Sequence, residues 1–269
     1  MPILLGSEQS ERSRLRLSSG WHSRLRLGFT GFLQRLLPAA CAGCQTPGSP
    51  FCEQCYQKLT WVEPPVCMQC GHPINVEAAL CRQCQIQPLV SCRIRAVLKF
   101  ASPVREAVHA LKYKKQHDVA AELATIMARG WVAWASMVDL VVPVPLHAER
   151  YRARGFNQSA EIARHLATAL NLPIQTNVLF RPTRTRPQVG LNREARLDNV
   201  RNAFQAVQMG VSGKHILLID DVCTTGATLG AASDALYTAG AASVTAYVLA
   251  RAQNYREHQY PELERLATT

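Results

Sequence analysis

Lys214–Thr228 reads KHILLIDDVCTTGAT, and this stretch decides the fold. Ile216, Leu217, Leu218 and Ile219 form a short continuous apolar run, the pattern of a parallel strand covered on both faces. Asp220 and Asp221 follow at its carboxyl end, where open α/β sheets place their ligands. Thr224, Thr225, Gly226 and Thr228 then supply hydroxyls and a flexible turn ahead of a helix expected over Leu229–Ala239. Successive amide groups at such a helix start form a concave anion site. Two acids beside an anion site should repel its occupant. The pairing makes sense if the acids hold sugar hydroxyls, with a divalent cation between them and further phosphates, while the loop holds a terminal phosphate. The alternative is an ordinary strand–turn–helix with an acidic N-cap.

Composition sets the bounds for the rest. The 269 residues suffice for one large domain or two modest ones, and 48% are apolar, enough for a sizeable core. The formal net charge of +11 favours anionic partners, and its distribution is uneven. Residues 41–92 carry Lys58 and Arg82 against Glu53, Glu63 and Glu77. Residues 143–201 carry ten arginines, Arg150, Arg152, Arg154, Arg164 and Arg181 among them, against Glu149, Glu161, Glu194 and Asp198. The basic field therefore belongs to the half with the anion loop. No run of about eighteen apolar residues occurs, which excludes a helical membrane span. Residues 1–36 read as a basic, disordered leader, because Gln34 and Arg35 interrupt the apolar patch and Pro38 is misplaced for a lipoprotein signal. A chain read as signal-free is expected in the cytoplasm.

Nine of the ten cysteines fall between Cys41 and Cys92. Eight form Cys-x-x-Cys pairs: Cys41/Cys44, Cys52/Cys55, Cys67/Cys70 and Cys81/Cys84. Each pair grips one tetrahedral ion from a tight knuckle, and two pairs complete a Cys₄ site. Gly71, directly after Cys70, marks the clearest knuckle. Disulfides suit an oxidising compartment, and a redox motif needs only one pair, so two structural zinc ions are expected. Sequential pairing gives two consecutive ribbons, while spacing alone also permits an interleaved cross-brace. Few large apolar residues lie in this segment, so metal must supply stability of about 10–16 kcal/mol per site. Cys92 reads as a buried small residue, and Cys223 as a filler within the loop.

From Ile94 onward, strand and helix signals alternate, which predicts a parallel sheet flanked by helices. Strands are expected at Ile94–Phe100, Leu140–Val142, Ala203–Val207, Ile216–Ile219 and Ser243–Leu249. Helices are expected at Val104–Tyr113, Val119–Ala135 and Asn157–Leu170, with Asn157 or Ser159 as cap. Val142–Leu146 reads as a rigid proline loop leading to His147, Arg150 and Arg154. Pro187–Asn199 reads either as a mobile loop and helix that closes over a reacting centre or as an arginine-rich solvated surface. Lys112 either complements its helix dipole or binds ligand. The domain plan is a leader at 1–36, a double zinc ribbon at 37–92, an α/β domain at 93–252 and a tail at 253–269.

The stretch IDDVCTTGAT resembles the 5-phosphoribosyl-1-pyrophosphate (PRPP) motif of type I phosphoribosyltransferases. With the four cysteine pairs, Leu111-Lys-Tyr, Pro143-Val-Pro-Leu and Arg154-Gly-Phe-Asn-Gln, the chain from about Leu37 to Arg251 resembles the ComF/GntX family. The resemblance implies a double zinc ribbon fused to a type I phosphoribosyltransferase-like domain, with links to DNA uptake and competence. It implies that Asp220 and Asp221 contact the ribose hydroxyls and that Val222, Cys223, Thr224, Thr225, Gly226, Ala227 and Thr228 wrap the 5′-phosphate. Arg150 and Arg154 are then expected on the pyrophosphate side, with Mg²⁺ bridging phosphate and ribose oxygens. Three functions remain open at this level: a transferase acting on a nitrogen acceptor, a non-catalytic PRPP sensor, and a protein that grips single-stranded DNA. Competence proteins are the expected protein partners.

Overall fold

The structure is a computed structural model that describes residues 39–74, 79–86, 91–114, 116–131, 137–182 and 203–252. The expected leader, the lid at 187–199, the tail at 253–269 and residues 132–135 of the helix expected to reach Ala135 lie outside the described residues.

The cysteine-rich segment carries two short helices, α1 (Glu53–Gln57) and α2 (Arg82–Ile86). Beyond it come β1 (Arg93–Lys99), α3 (Val104–Tyr113), α4 (Val119–Arg129), β2 (Leu140–Pro143), α5 (Ala148–Arg154) and α6 (Gln158–Leu170). The chain continues through β3 (Leu179–Phe180), β4 (Gln205–Ala206), β5 (His215–Cys223), α7 (Ala227–Thr238) and β6 (Ser243–Arg251). Four strands form a sheet in the order β1-β6-β5-β2, and every neighbouring pair is parallel.

The apolar run of β5 explains the layering. Leu217 and Ile219 face one core with α3, α4 and α6, while Ile216 and Leu218 face a second with α7. All four are at most 1% exposed, as a strand buried on both faces requires.

Several expected boundaries are corrected. The central strand does not stop at Ile219 but pairs with β6 through Cys223, so both aspartates are strand residues. Ala203–Val207 contributes only Gln205–Ala206, and these pair antiparallel with β3 outside the main sheet; Ala203 and Phe204 are buried by packing and not by a ladder. The helix expected to reach Ala135 ends at Arg129, capped at Gly130. The segment after the proline loop folds as α5, which was not expected.

The ribbon segment belongs with the sheet, in a compact unit that begins at Ala40. Cys41, Phe51, Cys55 and Leu59 join the core of the α3–α4–α6 face. The linker between the two knuckles lies along the free edge of β1: Trp61 bridges Leu98, Val62 N–H donates to Val97 O at 2.9 Å, and Lys99 N–H donates to Thr60 O at 2.8 Å. An exposed parallel edge is thereby covered. Among the described residues, no helix is long and apolar enough to cross a membrane.

Candidate functional site

The zinc ligands sort themselves by distance. Cys41, Cys44, Cys52 and Cys55 form one group and Cys67, Cys70, Cys81 and Cys84 another, with Sγ atoms within 4.8 Å inside each group. Pairing is therefore sequential, two consecutive ribbons and not a cross-brace. Tetrahedral Zn–S bonds of about 2.3 Å place sulfurs about 3.8 Å apart. Cys44 and Cys52 Sγ are 3.6 Å apart, and Cys70 and Cys81 Sγ are 3.8 Å apart. These spacings fit a shared ion and are far beyond a disulfide bond. Knuckle amides support the thiolates, as Cys52 N–H does toward Cys41 Sγ at 3.3 Å. Hydrogen bonding with Thr46 brings the Cys44 thiol down to about 6. Gly71 follows Cys70 with φ +67°, and a Cβ there would sit 2.5 Å from Ile94 O. The glycine thus lets the second knuckle press against β1.

At the other end of the sheet, β5 delivers Asp220 and Asp221 to its carboxyl edge. The two acids meet different helices of the α3–α4–α6 layer, Asp220 the start of α6 and Asp221 the end of α3. Asp220 Oδ1 accepts from Ser159 Oγ at 2.7 Å, at the start of α6, and from Asp221 N–H at 2.9 Å. Burial, and next the repulsion of Asp221, raise the Asp220 acid to about 7. Asp221 is 3% exposed. Its Oδ2 lies 2.5 Å from Lys112 Nζ on the last turn of α3, and its Oδ1 accepts from Val222 N–H at 2.8 Å. Lys112 thus stands at the aspartate corner, in an ion pair that neither sequence reading of it included.

Behind the acids, Gly226 (φ +86°) turns the chain into α7. Among the described residues, the N–H groups of Thr224, Thr225 and Gly226 have no backbone acceptor, while Thr225 Oγ1 accepts from Ala227 N–H at 3.2 Å. Unsatisfied amides at a helix start make an anion cradle. Val222 and Cys223 belong to the strand rather than to this loop, and the Cys223 side chain is buried.

Lys112, the partner of Asp221, also lines a cleft of about 400 Å³ with Tyr113, Arg150, Ala153 and Arg154. The arginines are one turn apart on α5, and Arg154 sits over the Tyr113 ring at 5.4 Å while Nη1 donates to Gln158 Oε1. Asn157 fixes the neighbouring loop: its Oδ1 accepts from Ser159 N–H at 3.1 Å and its Nδ2 donates to Val144 O at 2.9 Å. Lys112 is the link between the two groups, pairing with Asp221 and lining the cleft with both arginines, while the amide loop follows the acids directly in the chain.

Two participants went unread in the sequence. Ser159 is more than a cap candidate, since it holds Asp220. Arg181 stacks on Phe204 at 5.1 Å, and burial, then the charge of Arg150, lower its pKa against the pull of Asp220. It also lines a second cleft of about 590 Å³ with Tyr151, Arg152, Asn157, Arg164 and Phe180. Its signal was only its place in an arginine-rich segment.

A double zinc ribbon joined to a phosphoribosyltransferase-like parallel sheet is the class that this fold and these sites define. Family comparison agrees, matching a double zinc ribbon domain over residues 32–85 and a phosphoribosyl transferase domain over residues 154–265. The chain is 33% identical over 192 residues to the DNA utilization protein YhgH of Salmonella typhi, covering 69% of this chain and 84% of that one. It is 29% identical to the YhgH of Escherichia coli strain K12, covering 80% and 98%. It is also 29% identical to the competence protein ComFC of Bacillus subtilis, covering 76% and 85%. The chain belongs to the ComF/GntX family.

Proposed function

We propose that this protein binds PRPP with Mg²⁺ at the carboxyl end of β5 and serves the uptake or use of external DNA from the cytoplasmic side. The observation that carries the reading is the free amide cradle of Thr224–Gly226 beside the Asp220–Asp221 corner. In this reading the cradle anchors the 5′-phosphate, and Asp220 and Asp221 hold the ribose hydroxyls. Arg150 and Arg154 receive the pyrophosphate as paired cations. Asp221 must exchange its Lys112 partner for ligand, which frees the ammonium for the phosphates in the same cleft.

The carboxylate oxygens and the ligand's phosphates form the hard donor set that suits Mg²⁺, with Asp220 as the acid that, among the described residues, pairs with no ammonium. When bound, the ion supplies charge neutralisation at the departing pyrophosphate. The chain's own residues orient C1 and hold the phosphates apart, which assists displacement of pyrophosphate by a nitrogen nucleophile. Calorimetric titration with PRPP and Mg²⁺ tests the reading: saturable binding is expected, lost in Asp220→Asn/Asp221→Asn. Unchanged affinity in that double variant refutes the ribose role. A pyrophosphate-release screen over nitrogen acceptors separates a transferase from a sensor.

A second reading, a grip on single-stranded DNA, is favoured by Arg152, Arg164 and Arg181 around the larger cleft, where Tyr151 and Phe180 are exposed. Relatives named for DNA utilization and competence support it. Stacking aromatics with arginines suit unpaired bases. DNA affinity should fall steeply with salt, and a flat response would remove this reading.

A further inference from the structure

Arg251, the last residue of β6, is 2% exposed although its guanidinium is always charged. Its Nη1 donates to Cys70 O at 2.6 Å and lies 3.4 Å from Cys223 Sγ. Among the described residues no carboxylate lies within ion-pair distance of it, and its Nε has no hydrogen-bond partner. A buried cation without a compensating anion is strongly unfavourable, so the counter-charge must come from elsewhere. The second cysteine group fits that need, because four thiolates around one Zn²⁺ carry a net charge of −2, and Cys70 is one of them. Arg95 flanks the same knuckle, its Nη1 donating to Met68 O at 2.9 Å.

The same guanidinium reaches the strand residue from which the candidate anion loop departs. Cys223 pairs with Arg251 in the sheet register, Ala252 N–H donates to Cys223 O at 3.0 Å, and Thr224–Thr228 departs from Cys223. The first ribbon's polar ties run elsewhere, as Gln116 Nε2 to Ala40 O at 3.1 Å illustrates.

We infer that Arg251 is the counter-charge of the second zinc site and the positioning residue of the Thr224–Thr228 loop. Zinc held by Cys67, Cys70, Cys81 and Cys84 keeps Arg251 seated, Arg251 seats Cys223, and occupancy of this one ribbon sets the loop's order and its affinity for an anion. The identity of that anion rests on the PRPP reading; the structural link does not.

The test uses the full chain loaded with zinc. In Arg251→Met, chelator competition should show one of the two zinc ions bound about tenfold more weakly, the size of effect expected when a ligand's support is removed. The other ion should be unchanged, and Arg251→Lys should recover part of the loss. Amide hydrogen exchange, which needs no ligand, should quicken together in Cys67–Cys84 and in Thr224–Thr228. If the zinc affinities are unaffected, or if the second ribbon loosens while the loop does not, the inference fails. Should Arg251→Met not fold, the wild-type protein decides: chelation that removes the second ribbon's zinc, seen as faster exchange in Cys67–Cys84, must also quicken loop exchange, and an unmoved loop overturns the link. Linkage is reciprocal, so PRPP with Mg²⁺ should tighten that same zinc. Absence of any PRPP binding would overturn the proposed ligand, while the exchange measurement would still decide the role of Arg251.

Discussion

Burial and the Asp221 charge lift the Asp220 acid from 3.8 to about 7, which ties stability to pH with a definite sign. A folded-state value above the unfolded one means that the native protein holds the proton more tightly, so stability is full below about pH 4 and falls as pH rises through about 7. Asp220→Asn should remove this dependence, becoming more stable than wild type at pH 8 and less different at pH 4. Denaturant titrations at the two pH values check it, and parallel pH dependence in both proteins would refute it. Ligand binding should run the other way, since a ribose hydroxyl donates to the ionised acid: PRPP affinity should rise as pH rises through about 7. Gly71 offers a second test at this scale. Its positive φ and the 2.5 Å approach to Ile94 O leave no room for a side chain. Gly71→Ala should cost about 2 kcal/mol from backbone strain alone, read as a lowered denaturation midpoint.

Elements with a long buried face were legible, and α5, which has none, was missed. Val104–Tyr113 was expected with the observed bounds because Val104, Ala107, Val108 and Leu111 repeat on one side. Helix α5 has seven residues and buries none of them, so it carries no apolar period to detect. Its arginines were singled out as ligands without the helix that spaces them. Helix α6 shows how a cap serves the site: Asn157 satisfies the first turn and tethers the strand-end loop through Val144 O. Asn157→Ala should cost about 1 kcal/mol from the lost cap, lowering Tm by about 2–4 °C. If the tether matters, pyrophosphate affinity should fall as well, whereas a cap alone would move only Tm.

At the scale of the whole molecule, the ribbons act as edge cover as well as metal sites. About two zinc ions per chain are expected by elemental analysis, and metal-free protein with disulfides would overturn the assignment. Stripping both ions should release the Trp61–Val62 strand from β1 and expose an unpaired edge. Such edges template association, so chelation should produce light scattering together with loss of tertiary signal.

Contiguous spacing was enough to establish what depends on local geometry. The apolar run before Asp220, the small-residue turn after it and the four Cys-x-x-Cys knuckles each carry their chemistry within a few residues. Only the tertiary structure decided which knuckles share an ion, that Lys112 meets Asp221 while Ser159 meets Asp220, and that Arg251 stands between Cys70 and Cys223. Those are encounters between residues distant in the chain. They follow from the order in which the sheet assembles its strands, which no local period encodes.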